Sequence, residues 1–459
     1  MDTEFTGLLT AIVFIPLAGS LLIATLITNP TAVRYFAGAI GLTELALGLF
    51  IFFRYDTAEG GVQLIDKFPD WISVGSFKVQ YFLGVDGIST PLVLLTGVLG
   101  MVAIFASWGI NHRVREYFIW MLILQTSVMG VFTALDFLLF FILWEIELVP
   151  MFFLISMWGS GRREYSAMKF LIYTFLGSAF MLVGIIALFI MTGTFDMTEL
   201  PQEIAAASPI IPIGLIFTLL FVAFAVKLPV FPFHTWLPDA HTDAPTAVSI
   251  ILAGVLLKMG GYGMIRVSVA MFPNVIVEAA QLIAILGLVN VLYGAVITLR
   301  QTDLKRLVAF SSISHMGYVL IGISSIAGVA GSVSPMGLTG ATMQMFTHGM
   351  ITGLMFLAVG LLYDKAHTRS IPELGGLAAR MPILGGRISG GCYSRLGARP
   401  SSGAVGKNRF ECRRTRQGCD HDAPCLRLPP RINDWTTLVS DNTVVPLPRF
   451  RIDRFTHGT

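Results

Sequence analysis

The chain has 459 residues, of which 54% are hydrophobic and 13% charged, and a formal net charge of +3. A soluble domain carries about 25% charged residues, so half that share excludes an ordinary cytosolic enzyme. The same figures exclude a disordered chain, a collagen and a disulfide scaffold, and the acidic start (Asp2, Glu4) does not read as a secretory signal.

Runs of 18 or more apolar residues read as membrane helices. In chain order they cover roughly 6–28, 34–53, 88–110, 117–134, 137–158, 168–192, 209–237, 245–266, 275–299, 305–325 and 336–362. The expected fold is therefore all-α, a polytopic bundle of about eleven spans. The segment 71–82 alternates loosely and reads as a short hairpin outside the membrane. With the N-terminus facing outward, the inward connections hold 12 basic residues and the outward ones 4, the bias that sets orientation.

The composition breaks near residue 387. Residues 1–386 carry 18 Lys+Arg and 22 Asp+Glu, a net of −4, and residues 387–459 carry 13 and 6, a net of +7. All four cysteines, Cys392, Cys412, Cys419 and Cys425, lie beyond the break, so the body holds no cysteine-ligated iron–sulfur cluster. No apolar run in 387–410 is long enough to span. The tail is expected on the inner side and mostly disordered, with a product that assembles poorly. We read it as a shift of reading frame near 387; the alternative is a genuine basic tail touching anionic lipid or nucleic acid.

An ionisable residue inside a span is a functional hypothesis by default. Glu145, in LWEIELVP, lies about 12 Å deep by helix rise. Glu147 is about 200° further round the helix, so one of the two looks into the bundle and the other elsewhere. Spacing alone does not choose, and we assign Glu145 to the interior. Lys227 precedes Pro229 and Pro232, which should break its helix at once. Lys258 lies near mid-depth in the next span, and His315 and His348 in two later ones. Glu145 and Lys227 then form a switch, with the lysine charged when paired and able to release a proton when separated. The ordering Glu145, Lys227, Lys258, His315, His348 makes a chain of titratable groups along the membrane plane. Taken singly, each histidine is as well explained by packing, whereas for Glu145 or Lys227 a structural pair is the lesser reading. Five such groups at one depth are not explained by structure alone. His234, His241, Asp239 and Asp243 resemble metal ligands, but Asp243 before Pro245 reads better as a helix N-cap.

FHTWLPDAHTDAPTAVSIILAGVLLKMGGYG at 233–263, with LGVDGIS at 83–89, LWEIELVPMFFLI at 143–155 and TDLKRLVAFSSISHMGY at 302–318, resembles the antiporter-like membrane subunits of proton-pumping NADH:quinone oxidoreductase, respiratory complex I. Among these it is closest in pattern to the M subunit, over about residues 1–386. The resemblance implies three leading helices (1–110), a first five-helix repeat (117–266) and an inverted second repeat, truncated here (275–362), before the tail at 387–459. It implies proton-path roles for Glu145, Lys227, Lys258, His315 and His348. No cofactor or metal is expected on this chain; NADH, FMN, iron–sulfur clusters and quinone would belong to partner subunits. Expected partners are the L and N paralogues and the lipid bilayer, with no nucleic acid, in a bacterial cytoplasmic (inner) membrane. The implied function is outward proton movement coupled to electron transfer from NADH to quinone. Multisubunit Na⁺/H⁺ antiporters and the membrane arms of hydrogenase and photosynthetic NAD(P)H dehydrogenase complexes share the motifs and are the alternatives.

Overall fold

A computed structural model describes residues 6–374 apart from 76, 208–209 and 328–334. The expectations for the tail lie outside the described residues. Helices α1 (Leu8–Thr25) and α2 (Pro30–Arg54) lead into an antiparallel hairpin, β1 (Gln63–Val74) and β2 (Phe77–Val85). Then come α3 (Ser89–Ala106), α4 (Val114–Thr133), α5 (Phe137–Ile146), α6 (Leu148–Trp158), α7 (Arg163–Thr192) and the short α8 (Leu200–Ala206). The rest is α9 (Ile213–Lys227), α10 (Trp236–Asp243), α11 (Thr246–Ile251), α12 (Leu257–Gly263), α13 (Pro273–Leu299), α14 (Leu304–Ser324) and α15 (Pro335–Ala366). Among the described residues ten helical segments are long and apolar enough to cross a membrane, and α9 is a shorter apolar helix.

Local sequence fixes several starts. Asn29 accepts from the Thr31 N–H at 2.9 Å and precedes Pro30, which needs no donor in the first turn. Asp303 accepts from the Lys305 and Arg306 N–H groups at 2.8 and 3.1 Å. The hairpin is longer than the expected 71–82. Fully buried Asp66 lies within it and accepts from the Gly7 and Thr10 N–H groups and from both threonine hydroxyls of that segment. The start of α1, with its unpaired N–H groups, is thereby tied to a strand some sixty residues on.

Proline also explains where spans are interrupted. Pro150 cannot donate to the Ile146 carbonyl, and α5 gives way to α6 at Glu147. The span 209–237 ends as a helix at Lys227, ahead of Pro229 and a cis Phe231–Pro232 bond. Asp243 does not cap the next helix: it closes α10, and its carboxylate accepts the Ser166 hydroxyl at 2.6 Å. The segment from Thr246 to Val269 is the centre of the bundle, with its whole apolar window buried, against 22% for α13. Two π-helical stretches, Leu252–Leu256 and Met264–Val269, interrupt it.

Candidate functional site: a buried line of ionisable side chains

Lys227 is the last residue of α9, and its side chain is 2% exposed. Its ammonium forms an ion pair with the carboxylate of Glu147, which is wholly buried, and lies 5.4 and 5.6 Å from the ring centroids of Trp144 and Phe170. The assignment of Glu145 to the interior is therefore corrected. Glu147 sits at the joint between α5 and α6, where the proline-broken hydrogen-bond ladder turns it toward α9. Glu145 is half-buried beside Ser178 and within the electrostatic reach of Lys227. Two carboxylates thus act on one lysine, Glu147 in contact and Glu145 through its field.

The break after Lys227 is satisfied by side chains rather than left open. The Trp236 indole donates to the Val226 carbonyl at 2.9 Å. Asn290, buried on α13, accepts from the Phe231 N–H at 2.7 Å and donates to the Pro229 carbonyl at 3.2 Å. These bonds matter because an unpaired backbone group in lipid costs several kcal/mol. Sequence reasoning missed Asn290. Its signal was an amide in the middle of the apolar run LGLVNVLYG.

Lys258 is fully buried on α12. In the preceding π turn the Leu257 N–H bonds the Leu252 carbonyl, and the Ala253 carbonyl takes the Lys258 ammonium. Lys258 Nζ lies 2.8 Å from Nδ1 of His348 on α15. The His348 and His315 rings are 5.4 Å apart, and Gln344 Nε2 stands 3.0 Å from His315 Nδ1. Lys258, His348 and His315 are thus one cluster drawn from three helices. Gly260 joins this cluster to the other: a Cβ there would stand 2.7 Å from the Leu228 nitrogen, so only glycine lets α12 lie against the end of α9.

The four candidate metal ligands are dispersed. Asp239 pairs with Lys169 at 2.8 Å, His234 stacks on Phe231, and His241 stacks on Phe356 with ring centroids 4.7 Å apart. Outside the spans, Asp136 caps α5 and also accepts from the Gln80 N–H of β2 at 3.0 Å. Burial pushes its carboxyl up to about 6, outweighing those N–H bonds, and nearby Asp196 adds to the rise. Asp196 itself is neutralised by Lys67 of β1 at 2.9 Å.

Residues 134–409 match the family described as the transmembrane region of NADH:quinone oxidoreductase and Mrp antiporters. The matched residues run past the compositional break. A chain 4 of NAD(P)H-quinone oxidoreductase from Synechococcus sp. is 42% identical over 400 residues, covering 87% of this chain and 74% of the relative. A chain 4 from Microcystis aeruginosa is 41% identical over 401 residues, covering 86% and 70%. In fold, the chain is similar to one in respiratory complex I from Thermus thermophilus, with a TM-score of 0.74 at 24% identity, over 85% of this chain and 78% of that one. It is also similar to one in an archaeal membrane-bound sulfane sulfur reductase, with a TM-score of 0.72 at 21% identity, over 86% and 79%. The chain belongs to the NADH:quinone oxidoreductase/Mrp antiporter family of multi-pass membrane proteins, on the branch of chain 4, the M subunit.

Proposed function

From this membership we infer that the chain is a proton-translocating membrane subunit of an NADH:quinone oxidoreductase. The observation that carries the reading is the set of ionisable groups inside the bundle: buried Glu147 on Lys227, then buried Lys258 on His348, with half-buried His315 beside it. Burying charged groups is costly unless they are paired, and a purely structural bundle would fill these positions with apolar side chains.

The chain's residues have distinct tasks. The carboxylate pair Glu145 and Glu147 holds a positive charge on Lys227. Weakening that hold lets the lysine pass its proton on, because a buried ammonium without a counter-ion is unfavourable. Lys258 receives charge at the packed junction of α9 and α12, and His348 and His315 carry it onward. The aromatic rings around Lys227 exclude bulk water from the switch. Redox chemistry belongs to partner subunits, where NADH, FMN, iron–sulfur clusters and quinone would reside. The body's lack of cysteine fits that division. Partners are other membrane subunits of the complex, including the L and N paralogues. The location is a bacterial cytoplasmic membrane with the N-terminus outward, and the helices divide into three leading spans, one five-helix repeat and a second, truncated one.

The test is proton uptake by vesicles carrying the assembled complex with Lys227→Met or Lys258→Met in this chain. Expected is continued quinone reduction with a lowered number of protons moved per electron. Unchanged pumping in both variants would overturn the reading. A sodium gradient formed without NADH would favour the antiporter alternative.

A further inference from the structure

Another buried carboxyl lies away from the proposed proton line. Glu44 is near the middle of α2, fully buried, with no hydrogen-bond partner for either oxygen among the described residues. Helices α1, α3 and α4 pack on α2. Neither α1 nor α3 contains a charged residue. The charges of α4 are Arg115 and Glu116 in its first turn. Arg115 is committed to the Ile23 and Ala24 carbonyls and Glu116 pairs with Arg113. On α2 itself, Arg34 lies in the first two turns, bound to the Ile110 carbonyl and Asn111, and Arg54 is the last residue. No counter-charge therefore faces Glu44 from its own helix or the three around it. Burial within this one chain is complete, so a partner subunit cannot supply one.

Gln125 of α4 shares this level of the bundle. It is 1% exposed, and among the described residues neither its amide oxygen nor its amide nitrogen has a partner. Two registers put it at the level of Glu44 in the bundle. A Cβ on Gly19 would meet both Ile40 of α2 and Leu122 of α4. From that layer Glu44 lies four residues on and Gln125 three, which is about 6 and about 4.5 Å of rise in the same direction. On α3, a Cβ at Gly97 would meet the Glu44 carbonyl, and one at Gly100 the Gln125 amide. Those two glycines are one turn apart.

An isolated ionised carboxylate in an apolar interior is far costlier than a neutral acid, and such a group neutralises instead. We propose that Glu44 and Gln125 form a proton-holding site within the leading helices, in which Glu44 carries a proton and the Gln125 amide is its polar neighbour. The ligand is the proton itself, stored outside the Lys227–His315 line. The proposal is independent of any role for that line.

Infrared difference spectra between the assembled wild-type complex and its Glu44→Gln variant decide the matter. Removing the group must remove either a carboxylic-acid C=O band or a carboxylate band. Loss of one acid band at neutral pH is expected; loss of a carboxylate band would overturn the proposal. Glu44→Asp keeps the acid and should shift that band rather than abolish it, which covers the case in which the amide variant assembles poorly. Sodium titration of thermal stability provides an independent check. Stabilisation of the wild type but not of Glu44→Gln would show a cation site instead and would also overturn the proposal.

Discussion

His348 stands 2.8 Å from Lys258, ninety residues away in sequence and on a different helix. The ring also lies 5.4 Å from that of His315. A nitrogen within hydrogen-bond reach of a buried ammonium is a direct proton acceptor, and histidine is the side chain suited to pass a proton near neutral pH. Replacing His348 by Leu removes a bond to a charged group worth ~1.5–3 kcal/mol. Proton translocation in vesicles should fall about tenfold or more, while quinone reduction by the assembled complex persists. Full pumping with Leu at 348 would remove this residue from the path.

Glu147 and Glu145 should separate in experiment. Glu147→Gln deprives Lys227 of its contact partner, and breaking a buried pair costs ~3–5 kcal/mol. We expect that variant to lower both thermal stability and protons moved per electron. Glu145→Gln should lower pumping with much less effect on assembly, because the contact to Lys227 comes from Glu147 and Glu145 is only half-buried. Equal stability losses in the two variants would contradict this ordering.

Asn290→Leu preserves volume but strips the Phe231 N–H and the Pro229 carbonyl of their partners. Each unpaired group costs ~1–3 kcal/mol. Amide hydrogen exchange across residues 228–235 should accelerate strongly while that of α13 stays slow. Exchange as slow as in the wild type would mean that the amide is dispensable.

Asp136 gives a pH dependence with a definite sign. Its folded carboxyl titrates at about 6 against an ordinary 3.8. The folded state therefore holds this proton more tightly than the unfolded one. Its contribution to stability is full below about 4 and is lost as pH rises to about 6. Thermal scans of the complex should show this decline, and Asp136→Asn should flatten it. An unchanged slope in the variant would assign the titration to another group.

Much of this was legible in the sequence, because lipid leaves few choices. Uninterrupted apolar runs must be helices, and Pro229 with Pro232 must end one just after Lys227. The choice between Glu145 and Glu147 was not legible from spacing. A 200° separation says that the two diverge, and only the kink at Pro150 decides which one turns inward. The hairpin was underestimated because its strands carry Asp66 and Lys67, whose partners Thr10 and Asp196 are remote in sequence. Asn290 and Glu44 were overlooked because each is a single polar residue in a long apolar run. Asn290 is explained by backbone groups that only a folded break exposes.

The break in α9 is pinned from two directions, by Trp236 from its own far side and by Asn290 from a separate helix. Such a joint is braced rather than hinged. Charge transfer past it would then rely on the swing of long side chains, with the polypeptide acting as a fixed frame. A cross-link locking the backbone at 231 to α13 should leave turnover intact, whereas stiffening or shortening the Lys227 side chain should stop it.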